Sequence, residues 1–156
     1  MLVSAPMDMD NFEDLLDQVT DAAENGSYQL ALTYLSQAGQ YSNNPVLQSY
    51  RAYCLAALTA DRRKSREALR ICQDSMQRDS GNSIHYLLQG RILLLMGDRK
   101  NAIKVFQTGL KVAPNPKIIA EVKRIGMRKT ALFEKLDRDH PLNFYLGKLL
   151  SRLGLR

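Results

Sequence analysis

The sequence predicts an all-α protein, built as an α-solenoid of antiparallel helix pairs. Amphipathic patterns, with apolar residues three and four positions apart, follow one another along most of the 156 residues. Glycine, asparagine, aspartate and proline separate these patterns as short turns. The clearest case runs from Asn82 to Pro116, where Gly97-Asp98 joins two such patterns. We therefore expect about eight helices in total.

The charges of the chain are divided unevenly along its length. Residues 1–60 hold seven acidic side chains and one basic one, whereas the remaining 96 residues hold 21 basic and nine acidic ones, giving a net charge of +6. This asymmetry has three possible interpretations: the basic part steers an acidic partner, copies of the chain contact one another head to tail, or the charges belong to solvated helix faces.

No stretch of the sequence suits a membrane. No apolar run approaches the roughly 18 residues that a spanning helix requires, and the N-terminus lacks the basic and apolar regions of a secretory signal. We expect no membrane span and a cytoplasmic location. Cys54 and Cys72 fall on apolar helix faces, where we expect them to pack as small hydrophobic residues.

The first helix pair is expected to follow a disordered leader at residues 1–10. A helix from residue 10 or 11 to Glu24 ends at Asn25-Gly26, because both residues tolerate a left-handed backbone. A second helix is expected from Tyr28 to Tyr41, carrying Ala31-x3-Leu35.

The middle pair begins after the turn at Asn44-Pro45. Its first helix has apolar residues at helical spacing, namely Leu47, Tyr50, Cys54, Leu55 and Leu58. Its second helix is expected from about Lys64 to Arg78. Ala31 and Ala68 are 37 residues apart, whereas Ala68 and Ala102 are 34 apart. The middle pair therefore contains about three extra residues, in its first helix or in the turn at 59–64.

The stretch from Asn82 resembles a tetratricopeptide repeat. Tyr86-x2-Gln89-Gly90-x2-Leu93, then Ala102-x3-Phe106, then Pro114 follow the pattern of that family. Gly26 precedes Ala31 by the same five residues that separate Gly97 from Ala102. The resemblance implies three repeats, at about 11–44, 45–81 and 82–116, stacked as a right-handed superhelix.

The residues after the repeats predict two further helices. A helix at 117–128 is expected to cap the apolar end of the array. A connector and a last amphipathic helix occupy 129–156, with a leucine stripe at Leu142, Leu146, Leu149 and Leu153. This stripe must be buried, either on the array, which is favoured, or in its groove, or against a second subunit.

Catalytic chemistry has little support in the sequence. His85 and His140 have no partners at metal-ligand spacing, and no phosphate-binding loop or nucleophile motif is present. We predict no catalytic residues, no metal, no cofactor and no small-molecule substrate. Two basic clusters, at 62–70 and 123–129, leave nucleic-acid binding as a less favoured alternative, because stacking aromatics are not interleaved with them.

The resemblance implies a non-catalytic scaffold that binds a peptide or helix of a partner protein in a concave groove. The groove positions that it implies are Leu16, Thr20, Arg51, Ile84, Leu87, Arg91, Leu94 and Leu95. The family's clamp for terminal carboxylates is incomplete, since Leu16 and Thr20 occupy its first-repeat slots and only Arg91 could hold a carboxylate. The alternative is a dimerisation module that uses the C-terminal leucine stripe or end-to-end contact.

Overall fold

A computed structural model of the chain describes residues 9–125, and side-chain burial from residue 11 onward. Within these residues there are seven α-helices, one short 3₁₀ helix and no strand. The α-helices are α1 (Met9–Glu24), α2 (Tyr28–Ser36), α3 (Pro45–Ala57), α4 (Arg62–Arg78), α5 (Ser83–Leu95), α6 (Arg99–Val112) and α7 (Pro116–Arg124). The all-α prediction is confirmed for this part of the chain.

The chain divides after Arg78 into two compact units. In the first unit α1 packs on α2 and α3, while α3 also packs on α2 and α4. In the second unit α6 packs on α5 and α7. Residues 9 and 10 of the predicted leader belong to α1, and the rest of the leader lies outside the described residues. The capping helix was expected to reach residue 128, but α7 ends at Arg124, with Ile125 as its C-cap. The leucine stripe at Leu142, Leu146, Leu149 and Leu153 lies outside the described residues.

The turns of the first and third helix pairs have the same geometry. Gly26 and Gly97 adopt left-handed φ values of 75° and 78°. In each case the next residue returns a hydrogen bond to the helix that has just ended. Ser27 N donates to Ala22 O at 2.8 Å, and Asp98 N donates to Leu93 O at 2.9 Å. This is the bonding of a Schellman cap, so the recurrence seen in the sequence is a recurrence of structure.

The alanine-x3 positions of the three second helices form buried contacts. Ala31, Ala68 and Ala102 are exposed by 3% or less, and the residue four positions after each is also enclosed. In the third pair, Phe106 lies so close to Gly90 that a Cβ atom there would overlap the edge of its ring. The small residue is therefore required by the approach of α6 to α5.

Two aromatic contacts join helices within the first unit. Tyr28 on α2 meets Tyr53 on α3 edge to face, with ring centroids 5.6 Å apart. Phe12 on α1 packs against Tyr41 at a centroid distance of 5.1 Å. Because ring pairs of this geometry add to the stability that area burial provides, they help to hold α1, α2 and α3 together.

The predicted end of the second helix was wrong. We expected a helix to Tyr41, but α2 stops at Ser36, and residues Gly39–Tyr41 form the 3₁₀ helix. Gly39 has a φ of +48°, which a continuing α-helix cannot contain. The shorter helix places the Tyr41 ring against α1.

The extra residues of the middle pair lie mostly at the start of α4. This helix begins at Arg62, two residues earlier than predicted, and therefore six residues before Ala68. The equivalent helix α6 begins at Arg99, only three residues before Ala102. The turn before α4, residues 58–61, is one residue longer than the turn at 96–98. The insertion is thus an additional N-terminal turn of α4, and it does not lengthen α3.

Candidate functional site

The predicted groove positions of the first unit lie on α1 and α3 and are partly accessible. Leu16, Thr20 and Arg51 are each half-buried. The Arg51 Nη2 group donates to Leu35 O at 3.0 Å, so its charge sits at the C-terminus of α2, where cations are favourable. Arg51 is therefore held in place by its own fold, with part of its surface left open.

Leu55 on α3 and Leu58, the C-cap residue of α3, expose an apolar face that the sequence did not reveal. Leu55 is 46% exposed and Leu58 is 49% exposed. They follow Arg51 by four and seven residues, so the three side chains lie on one side of the helix. We refer to Arg51, Leu55 and Leu58 as the α3 face.

Periodicity alone could not separate the α3 face from the core. Tyr50, Tyr53 and Cys54 of α3 are buried, whereas Leu55 and Leu58 are exposed. All five are apolar at helical spacing, so the pattern does not distinguish them. When Tyr50 is aligned with Tyr86, Leu55 and Leu58 correspond to Arg91 and Leu94. These are two of the groove positions that the tetratricopeptide resemblance implies.

The predicted apolar groove on α5 contains residues of three different kinds. Leu87 is fully buried, Ile84 and Leu94 are half-buried, and Leu95 is 51% exposed. Leu87 belongs to the core and presents no surface. Leu95 is the α5 residue with most apolar area available to a partner.

Arg91 is engaged by a carboxylate of its own chain. Its Nε donates to Glu121 Oε1 on α7 at 2.7 Å, and both side chains are only about one-tenth exposed, at 11% and 10%. Arg124 donates to the other oxygen, Oε2, from Nε at 3.0 Å and from Nη2 at 2.7 Å. Arg91 was predicted as a possible partner for a ligand carboxylate; in the structure, Glu121 occupies that role.

The remaining titratable side chains of note are enclosed. His85 is completely buried, and its Nε2 lies 3.2 Å from Asp79 Oδ2, which also accepts a hydrogen bond from Asn82. Burial raises the pKa of Cys54 from 9.0 to about 12. Burial likewise raises the pKa of Cys72 to about 12, against a smaller opposing effect of Ser49. Both thiols therefore stay protonated and unreactive at neutral pH.

Two further features bear on function within residues 9–125. No group of three or more histidine, cysteine, aspartate or glutamate side chains there is placed to hold a metal ion. None of the helices in this range combines the length and apolar character that crossing a membrane requires.

Comparison with known proteins shows a partial similarity. No protein-family model matches the chain. Over 93 residues, the chain is 36% identical to a protein described as an ancillary SecYEG translocon subunit, from Aggregatibacter actinomycetemcomitans. The matched region is 60% of this chain and 45% of that relative, so the chain spans less than half of the relative's length.

Proposed function

We propose that this chain is a non-catalytic scaffold that binds a helix or extended peptide of a partner protein. We further propose that its helix pairs form a tetratricopeptide-like solenoid. The observation that carries the proposal is the α3 face, where two leucines expose nearly half of their surface beside a fixed arginine.

The α3 face suits a protein partner because of its chemistry. Covering the exposed part of Leu55 and Leu58 would contribute about 1 kcal/mol for each side chain. An amphipathic helix presents apolar side chains at the same spacing of three and four residues, so it can pack against both leucines. The accessible part of Arg51 can accept a polar or acidic group at the edge of such a contact.

The non-catalytic part of the proposal is supported by the burial of the reactive side chains. His85, Cys54 and Cys72 are all fully enclosed, so a substrate cannot reach them without local unfolding. Catalysis by residues outside 9–125 has no motif in the sequence to support it.

The similarity to an ancillary translocon subunit supports a role within a larger protein assembly. We therefore propose SecYEG as the first partner to test. A cytoplasmic location stays a prediction from the sequence.

Photo-crosslinking from single positions tests the proposal directly. A photoreactive amino acid is placed at Leu55, at Leu58 or, as the control, at Leu30, which is also 46% exposed but lies on α2. Each full-length variant is irradiated with purified SecYEG and, separately, with lysate of the source cells. We expect a discrete adduct from positions 55 and 58 and none from position 30.

Two results would contradict the proposal. The first is the absence of adducts from both α3 positions in both mixtures, and the second is equal labelling from all three positions. Adducts that form in lysate but not with SecYEG would retain the scaffold function and remove the translocon as the partner.

A further inference from the structure

Two helices of the first unit carry charged stripes of opposite sign and identical spacing. On α1 four of the exposed acids, Glu13, Asp14, Asp17 and Asp21, form what we call the acidic stripe, and Glu24 is a further exposed acid of this helix. On α4 four of the six exposed bases, Arg62, Arg63, Arg66 and Arg70, form what we call the basic stripe, and Lys64 and Arg78 are the other two. Both sets fall at positions i, i+1, i+4 and i+8. At 100° per residue, each set lies within about 100° of its helix circumference and extends about 12 Å along it.

The eight stripe residues have no internal partners in the part of the chain that the structure describes. The ion pairs there join other side chains, and none of the eight side chains makes a hydrogen bond; Asp61 Oδ1 accepts only from the backbone N of Arg63. This leaves both stripes in contact with solvent. It distinguishes them from Arg91 and Arg124, whose charges are matched by Glu121.

Two members of the basic stripe occupy an unfavourable place in their own helix, although Glu67 and Asp74, exposed on the same helix, lie four residues after Arg63 and Arg70. Arg62 and Arg63 lie in the first turn of α4, which contains no acidic residue. Cations at that end are unfavourable, because the helix dipole places positive charge there. These two arginines also belong to the additional turn that α6 lacks. A position that opposes the local preference of the helix points to a role outside it.

The two stripes of one molecule lie on helices with different neighbours. The main contacts of α1 are with α2 and α3, whereas α4 packs chiefly on α3. Each molecule thus presents both signs on separate helices. If α1 of one copy lies parallel to α4 of another, the shared spacing places every acid at the height of a base.

We propose that this chain associates with a second copy of itself through the acidic stripe of one copy and the basic stripe of the other. The inference does not depend on the proposed capture of a partner protein at the α3 face. It names the residues for a contact between copies, which is one of the three interpretations of the uneven charge distribution in the sequence. Contact of this kind is sensitive to salt, because exposed charges are screened within about 10 Å at 0.1 M ionic strength.

Charge reversal with rescue tests the proposal. One variant carries Arg62→Glu, Arg66→Glu and Arg70→Glu; the other carries Glu13→Lys, Asp17→Lys and Asp21→Lys. We expect the unaltered chain to associate in sedimentation equilibrium at about 50 mM salt and to dissociate at about 500 mM. Each variant alone should have a dissociation constant raised at least about tenfold, and an equimolar mixture of the two should associate again.

A matched control separates local pairing from net charge. Lys100→Glu, Lys104→Glu and Lys111→Glu on α6 reverse three exposed charges and take the net charge from +6 to zero, as the α4 variant does. This control should associate at least as strongly as the unaltered chain. Far-ultraviolet circular dichroism verifies that every variant remains helical.

Three results would overturn the proposal. The first is a monomeric unaltered chain at about 50 mM salt, and the second is a mixture of the two variants that fails to associate. The third is binding of the unaltered chain to vesicles of anionic lipid or to duplex DNA, lost in the α4 variant, without any self-association. That last outcome would assign the basic stripe to a different polyanion.

Discussion

Gly90 is the residue whose replacement has the most direct structural consequence. A Cβ atom at this position would overlap the buried ring of Phe106. We expect Gly90→Ala to lower the free energy of unfolding by about 1–3 kcal/mol, because the ring must move within a packed core. Urea unfolding followed by circular dichroism measures the change.

Gly81 provides the control for this substitution. It has open space around the position of a Cβ atom and no left-handed φ. Gly81→Ala should therefore leave stability unchanged or raise it by up to about 1 kcal/mol. Equal effects of the two substitutions would contradict the close contact between α5 and α6.

Because its two thiols are buried, we expect the folded chain to lose stability at alkaline pH. In the folded chain Cys54 and Cys72 each have a pKa of about 12, against 9.0 for the exposed thiol. The difference in pKa makes a contribution to the stability of the folded state, and this contribution is fully present below pH 9.0. That contribution declines as pH rises towards the folded pKa, because the unfolded chain loses these protons first.

Replacing both cysteines measures this contribution. Cys54→Ala with Cys72→Ala should reduce stability at neutral pH through lost packing, but its stability should fall less between about pH 7 and pH 10 than that of the unaltered chain. All other side chains are common to the two proteins, so their effects cancel in the comparison. Parallel pH dependence in the two proteins would contradict the prediction.

At the scale of the helices, Glu121 attaches α7 to α5. It accepts from Arg91 and Arg124 with both of its oxygens. Glu121→Ala leaves the Arg91 charge, 11% exposed, without its carboxylate. We expect a loss of about 3 kcal/mol in the free energy of unfolding.

Three companion variants refine the Glu121 prediction. Arg124 is 69% exposed, so Arg124→Ala should cost no more than about 1 kcal/mol. Lys123 is exposed, so Lys123→Ala should leave the free energy of unfolding unchanged and serves as the control. Arg91→Met combined with Glu121→Leu should recover much of the loss, since an apolar pair can replace a buried ion pair. A Glu121→Ala effect as small as that of Lys123→Ala would show that the ion pair contributes little.

This ion pair also changes how binding at α5 is tested. Arg91→Glu would place a carboxylate against Glu121 and destabilise α7, so lost binding could not be assigned to a groove. Leu95→Glu is the better variant, because Leu95 is exposed and its replacement leaves the buried contacts unchanged.

Local signals made the helices and turns predictable from the sequence. Gly26 and Gly97 are recognisable because a left-handed turn after a helix favours glycine, and Ala31 and Ala102 are recognisable by their fixed distance from those turns. The early end of α2 escaped prediction, since Ala38-Gly39 follows an unbroken apolar pattern.

The candidate site was less predictable, because it depends on pairs that are distant in sequence. Arg91 and Glu121 are 30 residues apart, and no periodic pattern links them. The exposure of Leu55 depends on which of several apolar directions around α3 faces its neighbours. Whether the predicted groove residues bind a partner stays a prediction.

At the scale of the whole molecule, the two units differ in what they offer to a partner. The first unit contains the α3 face, the acidic stripe and the basic stripe. Described residues of the second unit contain the Glu121 ion pair and the exposed Leu95. The experiments on partner capture and self-association therefore concern the first unit, and they use different helices of it.

The contact between Tyr28 and Tyr53 makes the first unit observable by ordinary spectroscopy. The chain has no tryptophan, and five of its seven tyrosines, at 28, 34, 41, 50 and 53, belong to this unit. A ring pair fixed edge to face, with hydroxyl oxygens 3.3 Å apart, gives near-ultraviolet circular dichroism that vanishes when side-chain packing is lost. The protein therefore contains a label-free optical reporter for the packing of α2 on α3, the helix that carries the proposed binding face.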